Sequence, residues 1–311
     1  MPLPSLENKV ALVTGSSRGI GRATARRLAA DGAPVVVNYV NDERAAREVV
    51  TAMSDAGGKA VQVKADLSRR IEVQRLFDEA EAAFGRLDVV VANAATALVK
   101  PVVECTEEEF DRVFDTNTKG VSFTLQEAAR RTCDQGRIIA VSTAGTRMFF
   151  TELALYLGSK GAVEQFVRVL SKELASRQIT VNAVSPGFTD TDLLPERDRV
   201  VAAGMSAFNR IATPADVADV IAFLAGDTAR WITGQNLNAT GGVIQRESTA
   251  ASMRKRADPR CSKECRPAPH RPLGGGGSRQ SLVEGDDRRL GAGGRAQFRQ
   301  DVGDVHAGST R

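Results

Sequence analysis

Tyr156 and Lys160 have the side chains and the spacing needed for proton transfer. They lie in the segment Ala154–Lys160, whose composition is typical of the start of a helix. Four residues are about one helical turn, so the phenol and the ammonium group project from the same face. A cation beside a phenol lowers its pKa from the usual value of about 10, so the tyrosine can act as an acid or base near neutral pH. The same spacing also occurs on ordinary helices, where the tyrosine packs and the lysine is solvated.

Histidine chemistry is excluded for most of the chain. The two histidines are His270 and His306, both near the C-terminus. A Ser-His-Asp hydrolase or a histidine-based dehydrogenase is therefore excluded for residues 1–245. Tyr156 and Lys160 remain the acid-base candidates.

A glycine-rich turn far upstream of Tyr156 predicts a nucleotide site. Residues 9–14 form a short apolar run rich in valine, which predicts a buried strand. Gly15, Gly19 and Gly21 follow with the spacing Gly-x-x-x-Gly-x-Gly and lead into a helical pattern. Glycines permit a tight turn and let the backbone approach a pyrophosphate at the helix N-terminus. No Gly-Lys-Ser/Thr sequence is present, so the turn is not a P-loop.

The glycine turn and the Tyr-x-x-x-Lys motif together resemble the short-chain dehydrogenase/reductase family. Further segments follow in the order that this family shows, over roughly residues 7–245. They are Asp66 after the third predicted strand, Ala92–Ala95 after the fourth, Asn117, Ser142 and Thr143 after the fifth, Val181–Gly187, and Gly241 with Gly242. The core resembles 3-oxoacyl-carrier-protein reductases, glucose dehydrogenases and fungal naphthol reductases alike, so the substrate stays open.

The fold class follows from strand patterns that alternate with helix patterns through residue 245. This alternation predicts βαβ units and a parallel sheet. The resemblance implies one Rossmann-type, doubly wound α/β sheet of about seven strands with helices on both faces. Thr106 with Glu109 has the capping-box pattern, and Thr213 before Pro214 also predicts a helix start.

The composition changes near Arg246. Residues 246–311 carry 14 Lys and Arg against 8 Asp and Glu, whereas residues 1–245 carry 28 against 30. Only 8 of the 66 C-terminal residues are Leu, Ile, Val, Phe or Met, too few to offset the chain entropy lost on folding. We therefore predict an NADP(H)-binding domain at residues 1–245. Residues 246–311 would form a disordered, basic Gly/Arg/Pro-rich tail, either without selected function or attracted to an acidic partner by charge.

The resemblance implies hydride transfer between a nicotinamide and a carbonyl or secondary alcohol. Tyr156 would donate or accept the proton, and Lys160 would lower the Tyr156 pKa and bond the nicotinamide ribose. Asn117 would kink its helix and position a water for proton relay behind Lys160. The alternative is a non-catalytic NADP(H)-binding regulatory protein on the same fold.

The hydroxyl that would hold the substrate oxygen has two candidates, Ser142 and Thr143. Strand alternation sends their side chains to opposite faces, so only one can face the substrate. We favour Ser142, because Gly145 follows it in a Ser-x-x-Gly pattern and a smaller hydroxyl leaves more room. Thr143 has the same hydrogen-bonding capacity.

The choice of cofactor can be argued from charge. NAD-specific sites place a carboxylate at the end of the second strand to bind the ribose 2′-hydroxyl, but here that strand ends in Asn38 and Tyr39. Arg18 could pair with a 2′-phosphate. These features favour NADP(H) over NAD(H). The resemblance implies cofactor contacts from Gly15, Ser17, Arg18, Gly19, Ile20, Gly21, Asn38, Tyr39, Asp66, Leu67, Asn93, Ala94, Tyr156, Lys160, Pro186, Gly187, Thr189 and Thr191.

Other partners and the compartment are predicted from composition. The sequence has no run of 18 apolar residues, so no membrane span is predicted. The N-terminus lacks a signal-peptide pattern. The four scattered cysteines favour a reducing cytoplasm. The C-terminal region has one aromatic residue, Phe298, which argues against nucleic-acid binding by base stacking. No metal site is predicted.

The resemblance implies a homodimer or homotetramer built on helices around residues 106–132 and 155–177. We interpret the second of these helices as leaving an apolar stripe for a partner subunit. Its apolar residues include Val163, Phe166, Val167 and Leu170.

Overall fold

The structure, a computed structural model, describes residues 6–148 and 150–244. The predicted basic tail at residues 246–311 lies outside the described residues. Among the described helices, none is both long enough and apolar enough to cross a membrane.

A seven-stranded sheet forms the centre of the fold. Its strand order is β3-β2-β1-β4-β5-β6-β7, and every pairing is parallel. The predicted doubly wound α/β fold is therefore confirmed. The order reverses between β1 and β4, and ligands of such sheets bind at the carboxyl ends of the strands at this point. The strands are β1 (Ala11–Val13), β2 (Val35–Tyr39), β3 (Ala60–Lys64), β4 (Val89–Ala92), β5 (Arg137–Val141), β6 (Thr180–Pro186) and β7 (Asn236–Ala239).

Helices cover both faces of the sheet. The capping boxes are present at Thr106 with Glu109 and at Thr213 with Asp216, so these two predicted helix starts are confirmed. A π-helical segment, Asp115–Gly120, connects the fourth helix to the fifth. The helices are α1 (Gly19–Ala30), α2 (Glu43–Asp55), α3 (Arg70–Phe84), α4 (Glu107–Phe114), α5 (Val121–Arg131), α6 (Ala154–Glu173), α7 (Arg199–Met205) and α8 (Pro214–Ala225).

Alternate residues of the central strands feed two separate apolar cores. Leu12 packs on the face covered by α3, α5 and α6, whereas Ala11 and Val13 pack on the face covered by α1, α2 and α8. Both faces of the sheet are therefore closed to water. A ligand of this sheet is therefore expected at the carboxyl ends of the strands, at the point where the strand order reverses.

The apolar residues interpreted on α6 as a second stripe divide into two pairs. Val163 and Val167 are fully buried in the core, whereas Phe166 and Leu170 pack against the same core and remain partly exposed. The use of this helix in a subunit contact stays a prediction. On α6, Val169 is the exposed large apolar side chain.

Candidate active site

A cavity of about 1120 Å³ lies at the carboxyl ends of the strands. The glycine turn, Tyr156 and Lys160 all contribute to its wall. Every predicted site residue contributes to its wall except Asn38 and Asn117. Residues separated by about 140 positions in sequence thus face one space large enough for a dinucleotide and a substrate.

The glycine turn is shaped to accept a phosphate group. Gly15 and Gly19 have φ angles of +61° and +55°, a region that other residues rarely adopt. A Cβ on Gly21 would lie 2.3 Å from the carbonyl oxygen of Gly15, so only glycine fits there. At its N-terminus α1 has no side-chain cap and no acidic residue in the first turn. Its first N–H groups therefore remain for an anion, and the turn fits the pyrophosphate of a dinucleotide.

Asn38 supports this turn from behind. It is fully buried, and its Oδ1 accepts a hydrogen bond from Gly15 N at 3.0 Å while its Nδ2 donates to the Ala65 carbonyl at 3.1 Å. The predicted contact of Asn38 with a cofactor does not fit this geometry. Its side chain is bonded to Gly15 and Ala65 and does not line the cavity.

Asn93 fixes the end of β4 to the same turn. Its Nδ2 donates to the carbonyl oxygens of Thr14 at 2.9 Å and Gly15 at 3.1 Å. The Thr14 hydroxyl in turn accepts from the backbone N–H groups of Asn93 and Ala94. Asn93 therefore lines the cavity and at the same time positions the phosphate-binding backbone.

Charges of both signs lie at the β2 end of the cavity. Arg18 donates to Asp192 at 3.1 Å, and both side chains are about 70% exposed, so this ion pair contributes little to stability. Asp42 also lines the cavity, and its Oδ1 accepts from Ala45 N as the N-cap of α2. The sequence analysis considered charges only up to the end of β2 and therefore missed Asp42. An aspartate directly before a helical pattern could have indicated this N-cap residue.

Tyr156 and Lys160 occupy successive turns of α6, as predicted. Lys160 is fully buried, and its Nζ donates to the carbonyl oxygen of Val141 at 2.7 Å. Burial raises the pKa of Tyr156 above its usual value, and a hydrogen bond with the Thr143 hydroxyl partly opposes this shift. The predicted lowering of the Tyr156 pKa by Lys160 is absent here, since the lysine is directed at Val141 and desolvation dominates at the phenol.

The two candidates for the substrate hydroxyl have different partners. Ser142 donates to Glu164 Oε1 at 2.8 Å and is buried, whereas the half-buried Thr143 hydroxyl contacts Tyr156. Both residues line the cavity, but the favoured candidate, Ser142, is engaged by Glu164, so the contact with Tyr156 favours Thr143.

Asn117 lies at the centre of the π-helical segment, so the helix is distorted where a kink was predicted. Its Nδ2 donates to the Thr96 carbonyl at 2.8 Å and to Ser159 Oγ at 3.0 Å, and its Oδ1 accepts from Thr96 N at 2.8 Å. The side chain thereby joins the segment after β4 to α6 beside Lys160. Its part in a proton relay stays a prediction.

Large apolar side chains form part of the cavity wall. Met148 and Phe150 are among them, whereas Phe149 lies outside the described residues. The rings of Phe150 and Phe188 meet edge to face with centroids 5.8 Å apart. Leu193, Val201 and Met205, from the segment after β6, complete this wall.

Burial of Lys160 predicts a stability effect that depends on pH. Desolvation lowers its pKa from 10.5 to about 8, so the folded protein binds this proton less tightly than the unfolded chain. The cost of burying the charge is fully present below pH 8 and fades as the pH rises towards 10.5. It amounts to about 3 kcal/mol, from which about 1 kcal/mol for the bond to Val141 is subtracted. We expect Lys160→Met to stabilise the protein by about 2 kcal/mol at pH 7.

Urea unfolding of both proteins at pH 7 and pH 9.5, without added cofactor, measures this difference. The gain should shrink by more than half at the higher pH. A gain equal at the two pH values, or a destabilised Lys160→Met protein at pH 7, would contradict the charge-burial argument.

Comparisons with known proteins show the family of the chain. The family model described as enoyl-(acyl carrier protein) reductase matches residues 15–244. An uncharacterized oxidoreductase of Methylorubrum extorquens is 42% identical over 247 residues, which are 78% of this chain and 100% of that protein. The hydroxynaphthalene reductase-like protein Arp2 of Metarhizium brunneum is 42% identical over 261 residues, 77% of this chain and 96% of that protein. Among solved structures, an angucycline C-6 ketoreductase, LanV with bound NADP, superposes with a TM-score of 0.74 at 42% identity, covering 77% of this chain and 97% of that chain.

Proposed function

We propose, since the chain belongs to the short-chain dehydrogenase/reductase family, that it reduces a ketone of a bulky, mainly apolar small molecule to the alcohol with NADPH. The observation that carries this proposal is the meeting of Tyr156, Thr143 and Lys160 in one cavity with the glycine turn. The family identity makes the chain an oxidoreductase acting on carbonyl or alcohol groups. The intact set of acid-base side chains argues against a regulatory protein without catalysis.

The residues present fit a nicotinamide dinucleotide. Gly19 and the first N–H groups of α1 would hold the pyrophosphate, Asp66 and Leu67 would flank the adenine, and Lys160 would bond the nicotinamide ribose. Bound there, the cofactor supplies the hydride. The bound NADP in LanV supports the same choice for this chain.

The chain's own groups would handle the proton and the substrate oxygen. Tyr156 donates its proton to the carbonyl oxygen as negative charge develops there. The Thr143 hydroxyl, which already contacts Tyr156, holds that oxygen beside the phenol. Because burial keeps the Tyr156 pKa high, the phenol is protonated at neutral pH, and this state serves reduction.

The substrate class is inferred from the large apolar side chains of the cavity wall. Met148, Phe150, Phe188 and Met205 offer flat and flexible apolar surfaces, which suit a fused-ring aromatic ketone. The names of the two relatives, a hydroxynaphthalene reductase-like protein and an angucycline ketoreductase, support this class. A substrate panel followed by NADPH consumption tests it: polycyclic ketones should outperform acyl thioesters and sugars, and the reverse order would reject the class.

Self-association as a homodimer or homotetramer remains a proposal. Val102, Val103 and Phe110, close together in sequence before and on α4, are exposed large apolar side chains. Together with the partly exposed Phe166 and Leu170 of α6, they are candidates for a subunit contact.

Preference for NADPH should depend on Arg18. We expect Arg18→Ala to weaken NADPH binding about tenfold and NADH binding less than threefold, because only NADPH carries a 2′-phosphate for a charge-assisted contact. Asp42→Asn keeps the helix cap while removing a negative charge from the same end of the cavity. This variant should therefore strengthen NADPH binding.

Fluorescence titration with both dinucleotides measures these affinities. Asp192→Asn serves as the matched control, since it removes the partner of Arg18 but leaves the cation in place. Equal effects of Arg18→Ala on both dinucleotides, or a native preference for NADH, would show that the charge argument is mistaken.

A further inference from the structure

Glu164 is a buried carboxylate one helical turn beyond Lys160. It is 9% exposed, and none of the ion pairs between described residues includes it. Burying a carboxylate without a basic partner is costly unless hydrogen bonds compensate. A leucine of similar size would avoid this cost, so packing alone does not account for an acid at this position.

The carboxylate binds the two ends of the loop that carries Thr143. Its Oε1 accepts a hydrogen bond from Ser142 Oγ at 2.8 Å and another from Thr146 Oγ1 at 2.7 Å. The Thr146 hydroxyl lies 3.0 Å from the carbonyl oxygen of Thr143, and the Thr143 hydroxyl accepts from Gly145 N at 3.2 Å. Glu164 therefore holds the backbone on both sides of the hydroxyl that contacts Tyr156.

Side chains from three turns of α6 contact three adjacent residues at the end of β5. Lys160 binds the carbonyl of Val141, Glu164 binds the side chain of Ser142, and Tyr156 contacts Thr143. These contacts hold the end of β5 against α6. With Ser142 and Thr146 both bonded to Glu164, the backbone between them, which carries Thr143, is held beside Tyr156.

We propose that Glu164 is a positioning residue, which sets the Thr143 hydroxyl against Tyr156 by anchoring Ser142 and Thr146. It acts through Thr143 and does not touch the reacting atoms. The kinetic consequences of this proposal rest on the proposed function. The effect of Glu164 on the position of Thr143 does not require that the protein reduces ketones.

A double-mutant cycle tests the kinetic consequence. Glu164→Leu should lower kcat roughly 10- to 100-fold with little change in NADPH affinity, as expected for a displaced catalytic hydroxyl. Glu164→Gln keeps an oxygen acceptor and should retain most of the activity. In a Thr143→Val background, Glu164→Leu should lower kcat by less than about threefold, because the group through which it acts is already gone.

Two controls separate positioning from folding. Glu173→Leu makes the same change at an exposed position of the same helix and should leave kcat within about twofold. Ser142→Ala removes one anchor without altering Glu164, so it keeps the test decisive if Glu164→Leu fails to fold. Equal losses from Glu164→Leu in both backgrounds, or unchanged kcat in both Glu164→Leu and Ser142→Ala, would overturn the proposal.

A measurement without turnover distinguishes failure of this proposal from failure of the proposed function. The chain has two tyrosines, Tyr39 and Tyr156, so a Tyr39→Phe background leaves Tyr156 as the single tyrosine for ¹³Cζ NMR titration. Because the Thr143 hydroxyl lowers the Tyr156 pKa, Thr143→Val and Glu164→Leu should both raise the midpoint, and Glu164→Gln should not. A midpoint unaffected by Glu164→Leu would reject the coupling, even if the enzyme reduces ketones. A shifted midpoint in a protein that reduces no ketone would reject the function alone.

Discussion

Tyr156→Phe is expected to abolish ketone reduction while NADPH binding persists. The ring and its packing on α6 are kept, and only the proton donor is lost. General acid catalysis contributes on the order of 10²- to 10⁴-fold, and residues 1–245 contain no histidine that could replace it. We therefore expect kcat to fall at least about 10³-fold.

Steady-state kinetics with the best ketone of the panel measures this loss. NADPH affinity and melting temperature provide the internal control, since neither should change appreciably. Turnover of Tyr156→Phe within tenfold of the native protein would refute Tyr156 as the proton donor.

The same argument predicts opposite pH profiles for the two directions of reaction. Because burial raises the Tyr156 pKa, the phenol stays protonated through neutral pH. Reduction should therefore be level across neutral pH and decline only in strong alkali, whereas alcohol oxidation should rise as the phenolate forms.

Thr143→Val is expected to have the second-largest effect. Valine has nearly the shape of threonine but cannot hydrogen-bond either Tyr156 or the substrate oxygen. Loss of one preorganised donor at a developing oxyanion costs on the order of 10²- to 10³-fold in kcat. We expect a loss of about 10²-fold, together with a further rise in the Tyr156 pKa, because the Thr143 hydrogen bond currently lowers it.

Ser142→Ala is the matched comparison. The Ser142 hydroxyl is already bonded to Glu164, so its loss should cost tenfold or less, acting only through the anchoring of the loop. A larger loss in Ser142→Ala than in Thr143→Val would restore Ser142 as the substrate hydroxyl.

Local sequence patterns were sufficient to predict the architecture. Valine-rich runs alternating with helical patterns specify buried parallel strands and their crossovers, and the glycine spacing specifies the turn between β1 and α1. The capping boxes at Thr106 and Thr213 were also predictable, because a cap depends on residues three positions apart. Each of these features is set by contacts within one element or between neighbours in the chain.

The directions of the site side chains were decided by the tertiary structure. The sequence offered Ser142 and Thr143 as the substrate hydroxyl but could not say which of them contacts Tyr156, because this depends on Glu164, which binds Ser142 from α6. It could not show that the Asn38 side chain holds Gly15. The two partners of this side chain, the Gly15 N–H and the Ala65 carbonyl, come from two other segments of the chain.

Lys160 shows the same division most clearly. Its spacing from Tyr156 is fixed by the helix and was readable from the sequence. Its partner, the carbonyl of Val141, and its complete burial arise only when α6 packs against the end of β5. The sequence therefore determined which groups are available for the chemistry, whereas packing between distant elements decided their hydrogen-bond partners, their solvation and hence their pKa values.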